Sequence, residues 1–191
     1  MTTKSILSSL GAVLILAVNA SAAFDLGTPS SSTPYEPYMR PVKQVLGSLS
    51  GHKATMNEVK QNLKVGYGFR YSFTEPYVAA SPDVTARTRS GDCKAKSLWL
   101  VNQLGDRNIR YVIGKARSSS KISHAWVMWN DGSRWWILDP TNVSRPIAAE
   151  STGKNEYIPL YSYEPGRAFR HNATAIFTAS TAAKNLPVAA R

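Results

Sequence analysis

Residues 123–141, SHAWVMWNDGSRWWILDPT, constrain this chain more than any other stretch. Two alternating apolar runs flank Asn130-Asp131-Gly132-Ser133. An Asp-Gly centre between such runs is among the strongest short-range hairpin signals, because the turn needs positive φ. With Asp131-Gly132 at the turn, Asn130 faces Ser133. Counting back along both strands in that register puts His124 directly opposite Asp139, and a four-residue loop centred on the same dipeptide keeps the pairing. Opposed side chains on one sheet face have Cβ atoms about 4.5–5.5 Å apart, within reach of an imidazole–carboxylate hydrogen bond. Trp126 and Met128 share the His124 face, and Trp135 and Ile137 share the Asp139 face. The pair is thus expected among apolar neighbours, where its attraction is strong.

Upstream, SGDCKAKSLWLVNQLG reads as a helix. Ser90 or Asp92 can cap its start, since a side-chain oxygen there accepts an otherwise unpaired backbone N–H. Ala95, Leu98, Trp99, Val101 and Leu104 form a broad apolar face, and Gly105 stands where a C-terminal cap is expected. Cys93 then falls in the first turn, where the helix dipole favours a thiolate and free N–H groups can receive an oxyanion. Lys94 and Lys96 add positive charge nearby. A thiol at a helix start, an imidazole and a carboxylate make a nucleophile, a base and an orienting group.

The rest of the chain supplies a frame. Residues 1–22 read as a signal peptide: Lys4, then an apolar run from Ile6 to Val18 too short to span a bilayer, then Ala20-Ser21-Ala22. Its removal leaves residues 23–191 with a formal charge of +10, since only Lys4 is lost from a chain of +11. The product is therefore expected to be periplasmic or secreted, without a transmembrane anchor. Residues 23–41 read as a Pro/Ser-rich linker, 42–171 as one domain, and 172–191 as a weakly ordered Ala/Thr-rich tail. Val42 to Val65 carries helical spacing, broken near Gly47 and Gly51, with Val45, Leu49, Met56, Val59 and Leu63 inward. Tyr67, Phe69, Tyr71 and Phe73 alternate as in a strand, Glu75 to Arg89 reads as a loop, Ile109 to Arg117 as a strand, and IPLYSYEPG as a further strand or hairpin. A single cysteine excludes an intramolecular disulfide framework and a cysteine-rich zinc site, so neither metal nor cofactor is expected. His52 and His171 lie in polar or basic surroundings and are expected to face solvent.

The runs GDCKAKSLWLVNQL, SHAWVMW and WILDPT, in that order, resemble the transglutaminase-like superfamily, closest to the bacterial transglutaminase-like cysteine peptidases. The resemblance spans about Arg87 to Asn142. It implies an α+β fold with a papain/transglutaminase-like core, the cysteine-bearing helix packed on an antiparallel β-sheet. It also implies Cys93 as nucleophile, His124 as base and Asp139 as orienting carboxylate. Two departures stand out. No Trp precedes Cys93 to hold an oxyanion, leaving Gln44 and Gln61 as candidates, and lysines stand where many of these peptidases carry acidic residues, which bears on calcium.

The expected function is an exported thiol acyl-transfer enzyme acting on protein or peptide amide bonds, a cysteine peptidase or amidase working as a monomer. Amide cross-linking by transamidation is the alternative from the same acyl-thioester. A binding domain of the same fold for anionic cell-envelope polymer is the alternative from another class, given the positive charge. The lysines and arginines are scattered and the aromatics alternate as in core strands, which argues against specific nucleic-acid binding.

Overall fold

The computed structural model describes residues 23–173 and 177–178. The signal-peptide reading and most of the tail reading lie outside the described residues. Four helices, α1 (Arg40–Gly47), α2 (Met56–Tyr67), α3 (Pro82–Thr88) and α4 (Cys93–Leu104), pack with eleven strands among these residues. The strands are β1 (Ala23–Phe24), β2 (Thr28–Pro29), β3 (Arg70–Tyr71), β4 (Ser90–Gly91), β5 (Ile109–Arg117), β6 (His124–Asn130), β7 (Trp135–Leu138), β8 (Ile147–Ala148), β9 (Glu156–Glu164), β10 (Arg167–Arg170) and β11 (Phe177–Thr178). Seven form an antiparallel sheet in the order β2-β10-β9-β5-β6-β7-β8, while β1 pairs with β11 and β3 runs parallel to β4. The α+β architecture with a cysteine-bearing helix on an antiparallel sheet is the expected one.

Helix α4 occupies the centre. Asp92 caps it by accepting from the Ala95 N–H, and Gly105 closes it at φ 60°. Leu98, Leu100 and Val101 are fully buried, so the helix is enclosed on nearly every side rather than along one stripe. On one side lies the sheet, with Ser97 Oγ donating to the Ala125 carbonyl at 3.1 Å. On the other lie α1 and α2, whose inward residues include Val42, Leu46, Val59 and Leu63. Contact with α2 is close at Gly66, where a Cβ would come within 2.9 Å of the Trp99 ring. The opposite face of the sheet carries a smaller cluster of Val112, Trp126, Met128, Ile137 and Tyr157.

Several expectations are corrected. The hairpin turns one residue later on each strand: Asn130 pairs with Trp135 and Val127 with Leu138, so the loop is centred on Gly132-Ser133. The Asp131 carboxylate accepts from the Ser133 and Arg134 N–H groups at 2.8 and 2.9 Å and organises that longer loop. The Tyr67–Phe73 strand shrinks to Arg70–Tyr71, because α2 runs through Tyr67 and the partner strand β4 is only two residues long. Within the expected loop, Ser81 and Pro82 start α3, Ser81 accepting from the Val84 N–H; a capping residue followed by Pro is a helix-start signal. The strand-or-hairpin expected at IPLYSYEPG is the β9–β10 hairpin. The Pro/Ser-rich stretch lies against the domain, with β2 on the sheet edge and Met39 buried.

Candidate active site

Cys93 is the first residue of α4 and is 7% exposed. The first-turn N–H groups of any helix lack an intrahelical acceptor, and the Asp92 cap takes only that of Ala95. Around this turn the charge is arranged differently from the sequence reading. The Lys94 ammonium, 2% exposed, is ion-paired with Asp92, donates to the Thr74 carbonyl at 3.1 Å and lies over the rings of Phe73 and Tyr77. Thr74 Oγ1 donates to the same Asp92 oxygen at 2.9 Å. Lys96 turns the other way, to the carbonyls of Phe69 at 3.0 Å and Tyr67 at 3.4 Å. Burial holds its ammonium below the usual lysine range, with the Asp139 charge acting against that shift. Both lysines therefore serve as buried ties between α4 and the segment after α2, and Lys94 brings little free charge to the thiol.

His124 opens β6, opposite Gly114 of β5. Its ring stacks on Trp126 at 6.1 Å between centroids. The imidazole Nε2 hydrogen-bonds Asp139 Oδ2 at 2.8 Å. In the observed register Asp139 is one pair out of step with His124, so the bond crosses the ladder diagonally. That slip shifts one strand against the other by two residues, an even count, so side chains stay on their original face. Burial opposes charge on His124, yet hydrogen bonds and charges from Asp139 and Cys93 outweigh it and push its pKa up to about 10. The imidazole thus bonds the carboxylate, feels the charge of the thiol and lines one cleft with Cys93. Cys93, His124 and Asp139 are brought to one place.

Asp139 has no exposed surface and five donors. Oδ1 accepts from the N–H groups of Thr141 at 3.0 Å and Asn142 at 3.3 Å. Oδ2 accepts from His124, from Asn142 Nδ2 at 2.8 Å and from the Tyr157 hydroxyl at 3.1 Å. Burial raises the carboxyl pKa, but these bonds and the His124 charge carry it below the usual carboxylate value. The aspartate is an anchored anion. Asn142 and Tyr157 are not among the expected site residues; Asn142 has a local signal, three positions after Asp139, whereas Tyr157 reaches the site from β9 with none.

The cleft at this centre, about 450 Å³, is lined by Tyr71, Ala116, Ser120, Ile122, Ser123, Thr141 and Asn142 besides Cys93 and His124. Gln44 and Gln61, the candidate oxyanion donors, are exposed and do not line it. Tyr77, a phenol, does not line it either, but its surroundings differ. The charge of Cys93 acts on Tyr77, and the Tyr77 hydroxyl is buried with no hydrogen-bond partner among the described residues. Its pKa lies far above the ordinary range, chiefly from burial and then from Cys93. Such a group stays a donor throughout neutral pH.

His171 differs from expectation: it is 5% exposed, bonded to Ser162 Oγ at 2.8 Å and set against Asp25 at 3.5 Å. The trio has the residue types of a serine triad, but Ser162 is fully buried in β9, so no substrate carbonyl can reach it. Its role is to tie the segment after β1 to the sheet. His52 is exposed and pairs with Glu58 at 3.1 Å.

No family model matches the chain, and no curated protein does. Solved structures do. Calcium-bound LapG of Legionella pneumophila superposes with a TM-score of 0.52 at 16% identity, covering 66% of this chain and 74% of that one. The EGTA-treated form gives 0.49 at 17% identity over 66% and 72%. A candidate cysteine protease from Cytophaga hutchinsonii gives 0.40 at 18% identity over 58% and 42%. The calcium-bound neighbour prompts a test of fit. Calcium takes six to eight oxygen ligands, several of them carboxylates. Here Asp92 has both oxygens engaged, one by Lys94 and Thr74 and the other by the Ala95 N–H. Among the described residues no group of three or more His, Cys, Asp or Glu could hold a metal ion. The residues beside Cys93 do not fit calcium.

Proposed function

We propose, from the premise that this chain has the transglutaminase-like cysteine protease fold of LapG, that it is an exported cysteine peptidase or amidase working through Cys93, His124 and Asp139. The observation that carries this reading is His124 bonded to Asp139 and lining one cleft together with Cys93. In the first step the Cys93 thiol passes its proton to the His124 imidazole. The Cys93 thiolate attacks the substrate carbonyl, and the carbonyl π electrons move to oxygen. The first-turn N–H groups of α4 and the Tyr77 hydroxyl receive that oxyanion. Collapse expels the amine, which takes its proton from His124, and leaves an acyl-thioester. Neutral His124 then removes a proton from water, whose oxygen attacks the thioester and releases the acid and the thiolate. Asp139 holds the ring so that one nitrogen faces sulfur and stabilises the imidazolium charge.

Thr141 Oγ1 is buried beside this cleft without a partner among the described residues, a hydroxyl suited to a substrate backbone group. The lining also carries two exposed apolar side chains, Tyr71 and Ile122. Both features suit a polypeptide. The test is release of peptides from an unstructured protein such as casein. Cys93→Ala and His124→Ala should each abolish it while the far-UV spectrum stays native. Undiminished release by either variant would overturn the reading. Incorporation of a labelled primary amine in place of hydrolysis would assign transamidation to the same thioester.

A further inference from the structure

A groove of about 710 Å³ lies between α2 and the segment after β7. Lys60, Lys64 and Arg145 project into it, and Met56, Trp136 and Pro146 give it an apolar floor; its lining contains no carboxylate. Lys60 and Lys64 stand one helical turn apart, an arrangement of like charges that slightly destabilises a helix. None of the three cations has an ion-pair partner among the described residues. The nearby acids are engaged elsewhere: Glu58 with the Thr55 cap and His52, Glu150 with Arg134 at 3.0 Å. Trp136 is held firmly, its Nε1 donating to Asp131 at 2.8 Å and its ring under the Arg134 guanidinium. This is concentrated positive charge over a fixed apolar surface.

The groove is continuous with the catalytic centre along the chain. Asp139 orients His124, Thr141 and Asn142 line the cleft, and Ser144 to Pro146 line the groove. Two residues of backbone span about 7 Å at most, so a polypeptide leaving the cleft over Asn142 meets the groove within a few residues. We propose that the groove is an exosite for the substrate chain and takes a stretch in which acidic residues alternate with apolar ones. The inference rests on the peptidase reading for its substrate. The apolar floor decides the class of occupant: a polyanionic glycan has no aliphatic side chains to cover Met56 and Pro146, whereas an acidic peptide does.

Binding can be measured without turnover. The probe is a fluorescein-labelled decapeptide of alternating Glu and Leu, titrated by anisotropy into the Cys93→Ala chain. Its Lys–Leu counterpart and polygalacturonate serve as comparisons. The proposal expects the Glu–Leu peptide alone to bind, and Lys60→Glu/Lys64→Glu to weaken it at least tenfold. The Lys53→Glu/Lys154→Glu variant, with the same change in net charge outside the groove, should bind within twofold of the parent. Equal weakening by both pairs, no binding of the Glu–Leu peptide, or stronger binding of polygalacturonate would each overturn it. In the active chain, the groove variant should raise KM on casein and leave kcat unchanged. Loss of casein cleavage in the unmodified chain would instead defeat the peptidase reading and leave the anisotropy result standing.

Discussion

At the residue scale, the division of labour around Asp139 explains why a carboxylate can remain charged with no exposure. Five donors replace its water, and two come from the Thr141 and Asn142 backbone that follows immediately. Asp139→Asn would keep the shape but offer Nε2 an amide, and the imidazole would lose its orienting anion. Turnover should fall about 10³- to 10⁴-fold without vanishing, measured as kcat on a cleaved peptide; activity equal to the parent's would remove Asp139 from the mechanism. Tyr77 is the other decisive residue. A buried hydroxyl without a partner is costly and calls for an explanation, and an oxyanion formed only during reaction supplies one. Tyr77→Phe should lower kcat roughly 10²-fold with KM nearly unchanged, while an unchanged kcat would leave the helix start as sole donor. The thiol, imidazole and carboxylate could be read from the chain because each sits on a local signal: a helix cap, a strand and a strand end. Tyr77 and Tyr157 could not, since only folding brings them beside residues many positions away.

At the element scale, the β5–β6 pair aims the imidazole. Gly114 faces His124 across the ladder at an irregularity where β5 also shifts register against β9. A Cβ there would lie 2.2 Å from the Ile158 carbonyl oxygen and 2.7 Å from the Trp126 ring, the ring that stacks on His124. Gly114→Ala should therefore destabilise by about 3 kcal/mol or more, the upper range for overpacking, read as a lowered urea midpoint. A midpoint matching the parent's would mean that the strands adjust freely. The hairpin shows what is legible in such elements. Its strands, its Asp-Gly signal and the face shared by His124 and Asp139 could all be read. The register could not, because Asp131 binds the loop backbone and draws the turn one pair onward. The Tyr67–Phe73 alternation misled for a different reason: Tyr67 ends α2, Phe69 is buried against Trp99, and of the four only Tyr71 lies in a strand, with Tyr71 and Phe73 largely exposed. His171 escaped because its partner Asp25 lies at the far end of the chain.

At the scale of the whole molecule, the positive charge is neither a uniform coat nor a catalytic aid. Part of it is buried in α4 as Lys94 and Lys96, and part lines a groove beside the cleft. Stability should carry the signature of the His124–Asp139 pair. The His124 pKa is raised from 6.5 to about 10 in the folded chain, so its contribution is complete below about pH 6.5 and is lost as pH rises toward 10. The Asp139 pKa is depressed below 3.8, so its share is present above that value and lost as pH falls through the folded pKa. Both shifts report one interaction, fullest between about pH 4 and 6.5. Between pH 6 and 10 the melting temperature should fall more steeply in the parent than in Asp139→Asn, and parallel curves would contradict the linkage. The most direct test of the central claim is the rate of Cys93 alkylation against pH in the parent and in His124→Ala. A thiolate–imidazolium pair predicts rapid alkylation that persists to about pH 5 in the parent and disappears from the acidic range in the variant. Identical profiles for the two proteins, rising only where a free thiol ionises at about 8.5, would show that Cys93 is a buried structural residue.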